Sequence, residues 1–166
     1  DAGAGDLKLE QVNFNVLFEQ TLGTLSMLAE QKGLKLEQRL AQERLIIWGD
    51  RMRLEQLLTI LVDNAIKYTP KNSHIVIRTE KRGKQAIVSI SDDGNGIADE
   101  IKPRIFDMFY SGANQIADSR RSLGLGLSLC KSIINAHGGE LTVSDNLPHG
   151  TVFTFTLPAG EVKVYE

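Results

Sequence analysis

A strand that runs straight into a glycine-rich corner constrains this chain more than any other stretch. Ala86 to Ser91 alternates in the manner of a half-buried strand, and Asp92-Asp93-Gly94-Asn95-Gly96-Ile97 follows at once, ahead of a charged, helix-compatible segment from Ala98 to Phe106. A carboxylate is thereby delivered where a strand ends. Gly94 and Gly96 lack Cβ, so the backbone there can turn through positive φ and a flat or charged ligand can come close. A nucleotide base or phosphate suits such a corner. So does an ordinary turn, because Asp, Asn and Gly are the residues that turns use.

With 166 residues the chain is long enough for one domain with a sizeable core. Its 19 Lys and Arg against 21 Asp and Glu leave a formal charge of −2, so no global field draws it to nucleic acid or to an anionic membrane. Phosphate affinity has to be local. One cysteine, Cys130, excludes an internal disulfide and a multi-thiolate metal site, and suits a reducing compartment. No apolar run approaches ~18 residues and no signal-peptide pattern opens the chain, so the expectation is a cytoplasmic domain, one that a larger membrane protein could still carry. Residues 1–6 read as a linker or expression remnant, 7–160 as the folded domain and 161–166 as a tail.

In order, Leu7, Leu9 and Val12 suggest a short strand. Asn15 is placed to cap a helix to about Lys32 with Leu17, Leu22, Leu25, Leu28 and Ala29 on one face, and Gly33 ends it. Strands are expected over Leu34–Leu40 and Arg44–Trp48. Asp50 caps a strongly apolar helix running to Tyr68, where Pro70 stops it. His74–Lys81 and Lys84–Asp92 form a hairpin around Arg82-Gly83. Met108 to Leu123 shows no clean periodicity and reads as a mobile loop of about a dozen residues, a length at which loops are often lids. A helix spans Gly124–Ala136 with His137-Gly138-Gly139 as its stop, and strands over Glu140–Ser144 and Thr151–Leu157 close the chain. Mixed strands and helices with several hairpins predict an α+β fold: a two-layer sandwich with helices on one face of a mixed, mostly antiparallel sheet.

Three constellations carry chemistry. Asn64, Lys67 and Tyr68 share one stripe of the apolar helix at i, i+3 and i+4. The amide oxygen suits Mg²⁺, the ammonium phosphates, and the ring the flat face of a base. Equally, the amide could satisfy a buried backbone group beside two ordinary surface residues. Ser122-Leu123-Gly124-Leu125-Gly126-Leu127 places two glycines at a helix start, where free N–H groups and the dipole favour anions, or where the chain simply hinges. Arg120 and Arg121 stand ready to add phosphate contacts, or to be solvated. Cys130 and Trp48 read as packing residues.

The order of Asp63-Asn64-Ala65-Ile66-Lys67-Tyr68, Asp92-Asp93-Gly94-Asn95-Gly96-Ile97, Ile105-Phe106-Asp107-Met108-Phe109-Tyr110 and Gly124-Leu125-Gly126-Leu127 resembles the N, first glycine, F and second glycine boxes of sensor histidine kinase ATP-binding domains. The resemblance runs over about residues 7 to 158, and from Ser119 to Leu157 it is most like the KdpD-type potassium-responsive kinases. It implies the Bergerat-type sandwich shared with gyrase, mismatch-repair and heat-shock chaperone ATPases, with ATP and Mg²⁺ as cofactors.

Carried onto this sequence, the family pattern makes Asp92 the acceptor for the adenine amino group, Asn64 the metal ligand, Lys67 a phosphate contact and Tyr68 a neighbour of adenine. Asn64 and Lys67 are the implied catalytic pair. Gly94, Gly96, Ile97, Phe109, Arg121, Leu123, Gly124, Leu125, Gly126 and Leu127 complete the implied nucleotide site, and Phe106 packs with Phe109 at the lid. The implied partners are a dimerisation and histidine-phosphotransfer domain outside this chain and, through it, a response regulator, in an inner-membrane or plasma-membrane sensor; nucleic acid is not among them.

Two positions depart from the pattern. Ile60 stands one turn before Asn64, where hydrolytic relatives carry a water-activating glutamate and the kinases a second asparagine, and Ser122 stands where the second glycine box begins with glycine. His74, His137 and His149 read as structural or surface residues, because none lies on a long amphipathic helix before an acidic residue. Two alternatives stay in view: a nucleotide-binding regulatory module with weak or no transfer, and an anti-sigma-type serine kinase that would use Asp63 as base.

Overall fold

Ala86, Val88, Ile90 and Asp92 fall on one face of a single strand, and that alternation organises the molecule. The computed structural model describes residues 7–107 and 118–160, with backbone alone for 118–125. The elements are β1 (Glu10–Asn13), α1 (Phe14–Lys32), β2 (Lys35–Arg39), β3 (Ile46–Gly49), α2 (Arg51–Tyr68), β4 (His74–Arg82), β5 (Gln85–Asp92), α3 (Asp118–Ala136), β6 (Glu140–Asp145) and β7 (Thr151–Pro158), with a 3₁₀ turn at Lys102–Arg104.

The main sheet has five strands in the order β2-β4-β5-β7-β6. β2 runs parallel to β4, and every other pairing is antiparallel. In register, Ile77 opposes Ile90, Ile90 opposes Phe153, and Val88 opposes Phe155, so one face is a continuous apolar layer. α1 lies against β2, α2 against β5, and α3 against β6 and β7, with α2 packed on both other helices. The core between the layers holds Leu54, Leu57, Leu58 and Val62 of α2, all fully buried, against Ile75, Ile77, Val88 and Phe155 of the sheet. Each large side chain buried there contributes about 1.5–3 kcal/mol. This is the expected α+β sandwich, with one addition: β1 and β3 pair separately as a two-stranded ribbon.

The helix boundaries show which local signals won. Asn13, not Asn15, caps α1, its side chain accepting from the Val16 N–H. Asn15 instead donates to the Ala41 carbonyl at 2.8 Å, bracing the loop that leads to β3. Gly33 ends α1 at φ 82°, a left-handed geometry that glycine adopts without a Cβ clash. Asp50 caps α2 as expected, accepting from Arg53 N–H at 3.2 Å. α3 starts at Asp118 rather than Gly124. The stretch before Gly124 lacks apolar periodicity, but arginine and leucine are good helix formers and Asp and Ser suit a first turn, so propensity sufficed where pattern was silent.

Two packing expectations fail. Trp48 is 44% exposed, because the alternation of β3 turns Ile47 inward and Trp48 out. Leu28 is exposed too: α1 buries Leu22, Leu25 and Ala29, and Leu28 falls off that stripe. Cys130 is buried as expected, its Sγ against the Leu57 carbonyl, and burial pushes its thiol far above the ordinary range. The expected lid falls largely on residues 108–117, outside the described residues.

Candidate nucleotide site

Period-two geometry sends Asp92 to the helix-facing side of the sheet, beyond the last apolar residue of β5 and beside the C-terminal half of α2. A pocket of about 190 Å³ opens there. α2 and its end contribute Asn64, Ala65, Tyr68 and Thr69. The β5 corner contributes Ile90, Asp92, Asn95, Gly96 and Ile97, and β7 contributes Thr151 and Phe153. Five residues singled out from the sequence, Asn64, Tyr68, Asp92, Gly96 and Ile97, therefore line one cavity.

The adjacent aspartates have separate tasks. Asp93 accepts the His74 N–H at 2.7 Å and closes the start of β4. Asp92 faces the pocket, and its carboxylate accepts the Gly94 N–H at 2.9 Å. Burial is the largest influence on Asp92 and raises its pKa above 3.8; Asp93 pushes the same way, while N–H groups of Gly94 and Thr151 oppose it. A half-buried acceptor at the edge of an apolar pocket is a group with unspent hydrogen-bonding capacity. Gly94 sits just outside the lining, where an added Cβ would meet Asp92 Oδ1 and the Pro70 ring at 3.1 Å each.

Across the pocket, the Asn64 amide nitrogen is buried without a hydrogen-bond partner. Such an orphan is costly unless something else fills the role, and rotation of the amide by a half turn would present its oxygen instead. Among the described residues no group of three or more His, Cys, Asp or Glu stands together. A cation here would thus rest on one amide oxygen, water and ligand phosphates, a donor set that suits Mg²⁺. The Asn64 amide fits that role.

Lys67 lies apart from the lining. Its side chain is 58% exposed and pairs with Asp63 at 3.0 Å, one turn back on α2. Gly126 lies against Asn64 and Ile60: a Cβ added to it would stand 3.5 Å from Asn64 Nδ2 and 3.0 Å from Ile60 Cγ2. Because α3 begins at Asp118, Gly124 to Leu127 occupy the interior of a helix, not its start, and the free N–H groups expected there are spent within α3. The Leu127 side chain is fully buried in the core. Phe109 lies outside the described residues, as do the side chains of Arg121, Leu123, Gly124 and Leu125. Phe106 packs edge-on against Phe153, with ring centroids 6.1 Å apart.

Reading residues alone missed Ala65, Thr69, Ile90, Asn95, Thr151 and Phe153. Asn95 was legible, being flanked by the two singled-out glycines. Thr151 and Phe153 were not, because they join the site only through the pairing of Asp92 with Thr151 and Ile90 with Phe153. The three histidines are structural. His137 accepts the Asp50 N–H on Nε2 at 3.0 Å and donates from Nδ1 to the Ile133 carbonyl at 2.8 Å, so both ring nitrogens are occupied. His74 meets Glu37, and His149 meets the Gly94 carbonyl.

Comparison with known proteins gives a consistent picture. The family of histidine kinase-, DNA gyrase B- and HSP90-like ATPases matches residues 49–161. The sensor protein KdpD of Clostridium acetobutylicum is 38% identical over 127 residues, 76% of this chain and 14% of that protein. The adaptive-response sensory kinase SasA of Gloeothece citriformis is 38% identical over 130 residues, 78% of this chain and 33% of that protein. This chain thus corresponds to a minor part of the length of these relatives. Among solved structures, the nucleotide-free catalytic domain of histidine kinase ThkA superposes with a TM-score of 0.79 at 30% identity, covering 91% of this chain and 95% of that one. Full-length ShkA in complex with AMPPNP superposes at 0.81 and 27% identity, covering 98% of this chain and 34% of that one. With its glycine corner, pocket and sandwich in place, the chain belongs to the family of histidine kinase-, DNA gyrase B- and HSP90-like ATPases.

Proposed function

We propose that this chain is the ATP-binding catalytic domain of a two-component sensor histidine kinase, which binds Mg-ATP and passes the γ-phosphoryl group to a histidine on a dimerisation domain outside this chain. The observation that carries the reading is the meeting, in one pocket, of the half-buried Asp92 carboxylate with the buried, unpartnered Asn64 amide. Similarity to the ThkA catalytic domain and to full-length ShkA holding AMPPNP supports it.

In this reading Asp92 accepts the amino group of adenine and discriminates against guanine, whose matching edge is a carbonyl. Tyr68 and Ile97 flank the base. Asn64 supplies the protein oxygen of the metal site, and bound Mg²⁺ neutralises phosphate charge. Lys67, released from Asp63 or shared with it, faces the phosphates, joined by Arg121. Gly126 lets α3 pack close to Asn64 and Ile60, and Gly124 leaves room for the phosphates. The imidazole nitrogen of the acceptor forms the new N–P bond as the γ-phosphorus to β,γ-bridging oxygen bond breaks and ADP leaves. Since the imidazole is the nucleophile, the domain's task is positioning and charge neutralisation, without a strong base.

Ile60 argues against hydrolysis, because an alkyl side chain one turn before Asn64 activates no water. It also favours one second reading, a nucleotide-sensing module with little transfer. A serine kinase using Asp63 as base is less well supported, because Asp63 is engaged by Lys67. The partners follow from the first reading: the dimerisation hairpin, then a response regulator, such as the one that ThkA binds in its solved complex. Among the described residues no helix is long and apolar enough to cross a membrane, and we place the domain on the cytoplasmic side of a membrane-anchored parent.

The test is calorimetric titration with a non-hydrolysable ATP analogue, first with magnesium and then with chelator, followed by ATP and a separately supplied acceptor hairpin. Magnesium-dependent binding and an acid-labile, alkali-stable phosphohistidine support the kinase. Binding without transfer supports the sensing module, and absence of binding removes both.

A further inference from the structure

The connection between β6 and β7 bonds the glycine corner at two places, and the end of β6 reaches it through Lys102. Asn146 donates from its side-chain amide to the Asp92 carbonyl at 2.8 Å. His149 donates from Nδ1 to the Gly94 carbonyl at 3.1 Å. Asp145 holds Lys102 at 2.8 Å, and Lys102 also donates to the Ile97 carbonyl at 3.0 Å. The turn itself is tightened by the Asn146 N–H on the Gly150 carbonyl at 3.0 Å. Gly150 must be glycine: its φ is 119°, and a Cβ there would lie 1.9 Å from the Asp92 carbonyl oxygen. Turn and corner are thus in backbone contact.

These ties act where the corner is weakest. Gly94 and Gly96 give the segment after β5 wide backbone freedom, and Gly96 uses it at φ 78°. The ladder of β5 ends at Asp92, so beyond that residue no strand pairing holds the backbone. Within the corner, the Asp92 carboxylate is oriented by the Gly94 N–H, and Gly94 in turn is held by His149. Hydrogen bonds at the Asp92 carbonyl and, two residues on, at the Gly94 carbonyl tie down the backbone whose Gly94 N–H the carboxylate accepts.

We propose that Asn146 and His149 are positioning residues for base recognition, which set the discrimination between adenine and other purines by fixing the Asp92 carboxylate. The proposal rests on the reading of Asp92 as the acceptor for the adenine amino group. Neither side chain lines the pocket, so each acts through the backbone of the corner and not through the ligand.

The experiment compares the 166-residue chain with its Asn146→Ala, His149→Ala and His149→Asn variants, titrated with ATP and with purine riboside triphosphate, which lacks the 6-amino group. In the parent, ATP binds more tightly. Each alanine variant should lower the ratio of the two affinities by roughly fivefold, the value of about one hydrogen bond, with the loss borne by ATP. His149→Asn, whose amide nitrogen can stand where Nδ1 stands, should restore the ratio. Thermal melting of each variant without ligand records the effect on folding separately. Equal weakening of both nucleotides, or no change in the ratio in either alanine variant, overturns the proposal and leaves Asp92 as base reader. A parent that does not distinguish the two nucleotides removes the role of Asp92, and the proposal with it.

Discussion

Ile60 and Gly126 face one another across the contact of α2 and α3, so closely that a Cβ on the glycine would stand 3.0 Å from Ile60 Cγ2. The branched residue thus occupies space beside Asn64 that a polar side chain would use differently. Ile60→Asn adds an amide one helical turn from Asn64. It should cost about 1 kcal/mol of stability through lost apolar packing, and raise magnesium-dependent affinity for an ATP analogue by roughly fivefold. Titration with and without chelator decides: an unchanged magnesium dependence would mean that this face of α2 does not reach the metal.

Asp92 should move stability and binding in opposite directions with pH. Its folded pKa is raised above 3.8, chiefly by burial, so the folded chain keeps this proton to higher pH than the unfolded chain does. As pH rises from 3.8 through the folded value, Asp92 lowers stability, and its ionised form strengthens the acceptor for ATP. Asp92→Asn should remove both slopes and weaken ATP binding by roughly 10- to 100-fold, as expected for losing a charge-assisted hydrogen bond. Paired melting and titration curves over pH 3.5–7, parent against variant, read this directly. Parallel slopes in the two proteins would exclude Asp92 as the titrating group.

Asp50 should behave in the opposite sense, as a structural carboxylate. Burial raises its pKa, but N–H groups of Lys8, Arg53 and Met52 outweigh burial and hold it below 3.8. Its stabilisation is therefore complete above 3.8 and lost as pH falls through the lower folded value. Asp50→Ala removes the cap of α2 and the partner of the Lys8 N–H, at a cost of about 1–2 kcal/mol. That corresponds to a drop in Tm of roughly 2–8 °C, checked by calorimetry at pH 7.

Lys67 pairs with Asp63 in an exposed setting, which limits the pair to about 0.5 kcal/mol of stability. Lys67→Ala should leave Tm nearly unchanged. It should reduce affinity for ATP several-fold and leave that for adenosine alone, because the ammonium acts on phosphate. Equal losses for both ligands would return Lys67 to a purely helical role.

Most of the secondary structure was legible because local rules decide it. Gly33 ends α1, Asp50 starts α2, and Gly83 turns the β4–β5 hairpin at φ 63°. The apolar spacing of Leu54, Leu57, Leu58, Leu61 and Val62 marked the central helix, and its burial in the structure follows from that spacing. The misreadings came where two local choices were nearly equal in energy. Asn13 and Asn15 are both fair caps, and the loop carbonyls of Ala41 and Glu43, remote in sequence, claimed Asn15. Trp48 turned outward because Ile47 beside it on β3 took the core side, a choice that local spacing does not fix.

The sequence by itself determined the residue types of the pocket: an amide and a ring on one stripe of α2, and a carboxylate at the glycine-rich end of β5. Spacing along the chain is enough for this, because helix and strand periodicities carry a side chain to a known face. Strand alternation already set Asp92, in line with Ala86, Val88 and Ile90, on the core side; tertiary structure alone decided that Thr151 and Phe153 complete the pocket. Only the fold set Ile60 against Gly126 and brought Asn146 and His149 onto the corner. Those relations depend on strand register and on helix packing across the core. Register is fixed by which apolar faces can be buried together, a property of the whole sheet that no single stretch encodes.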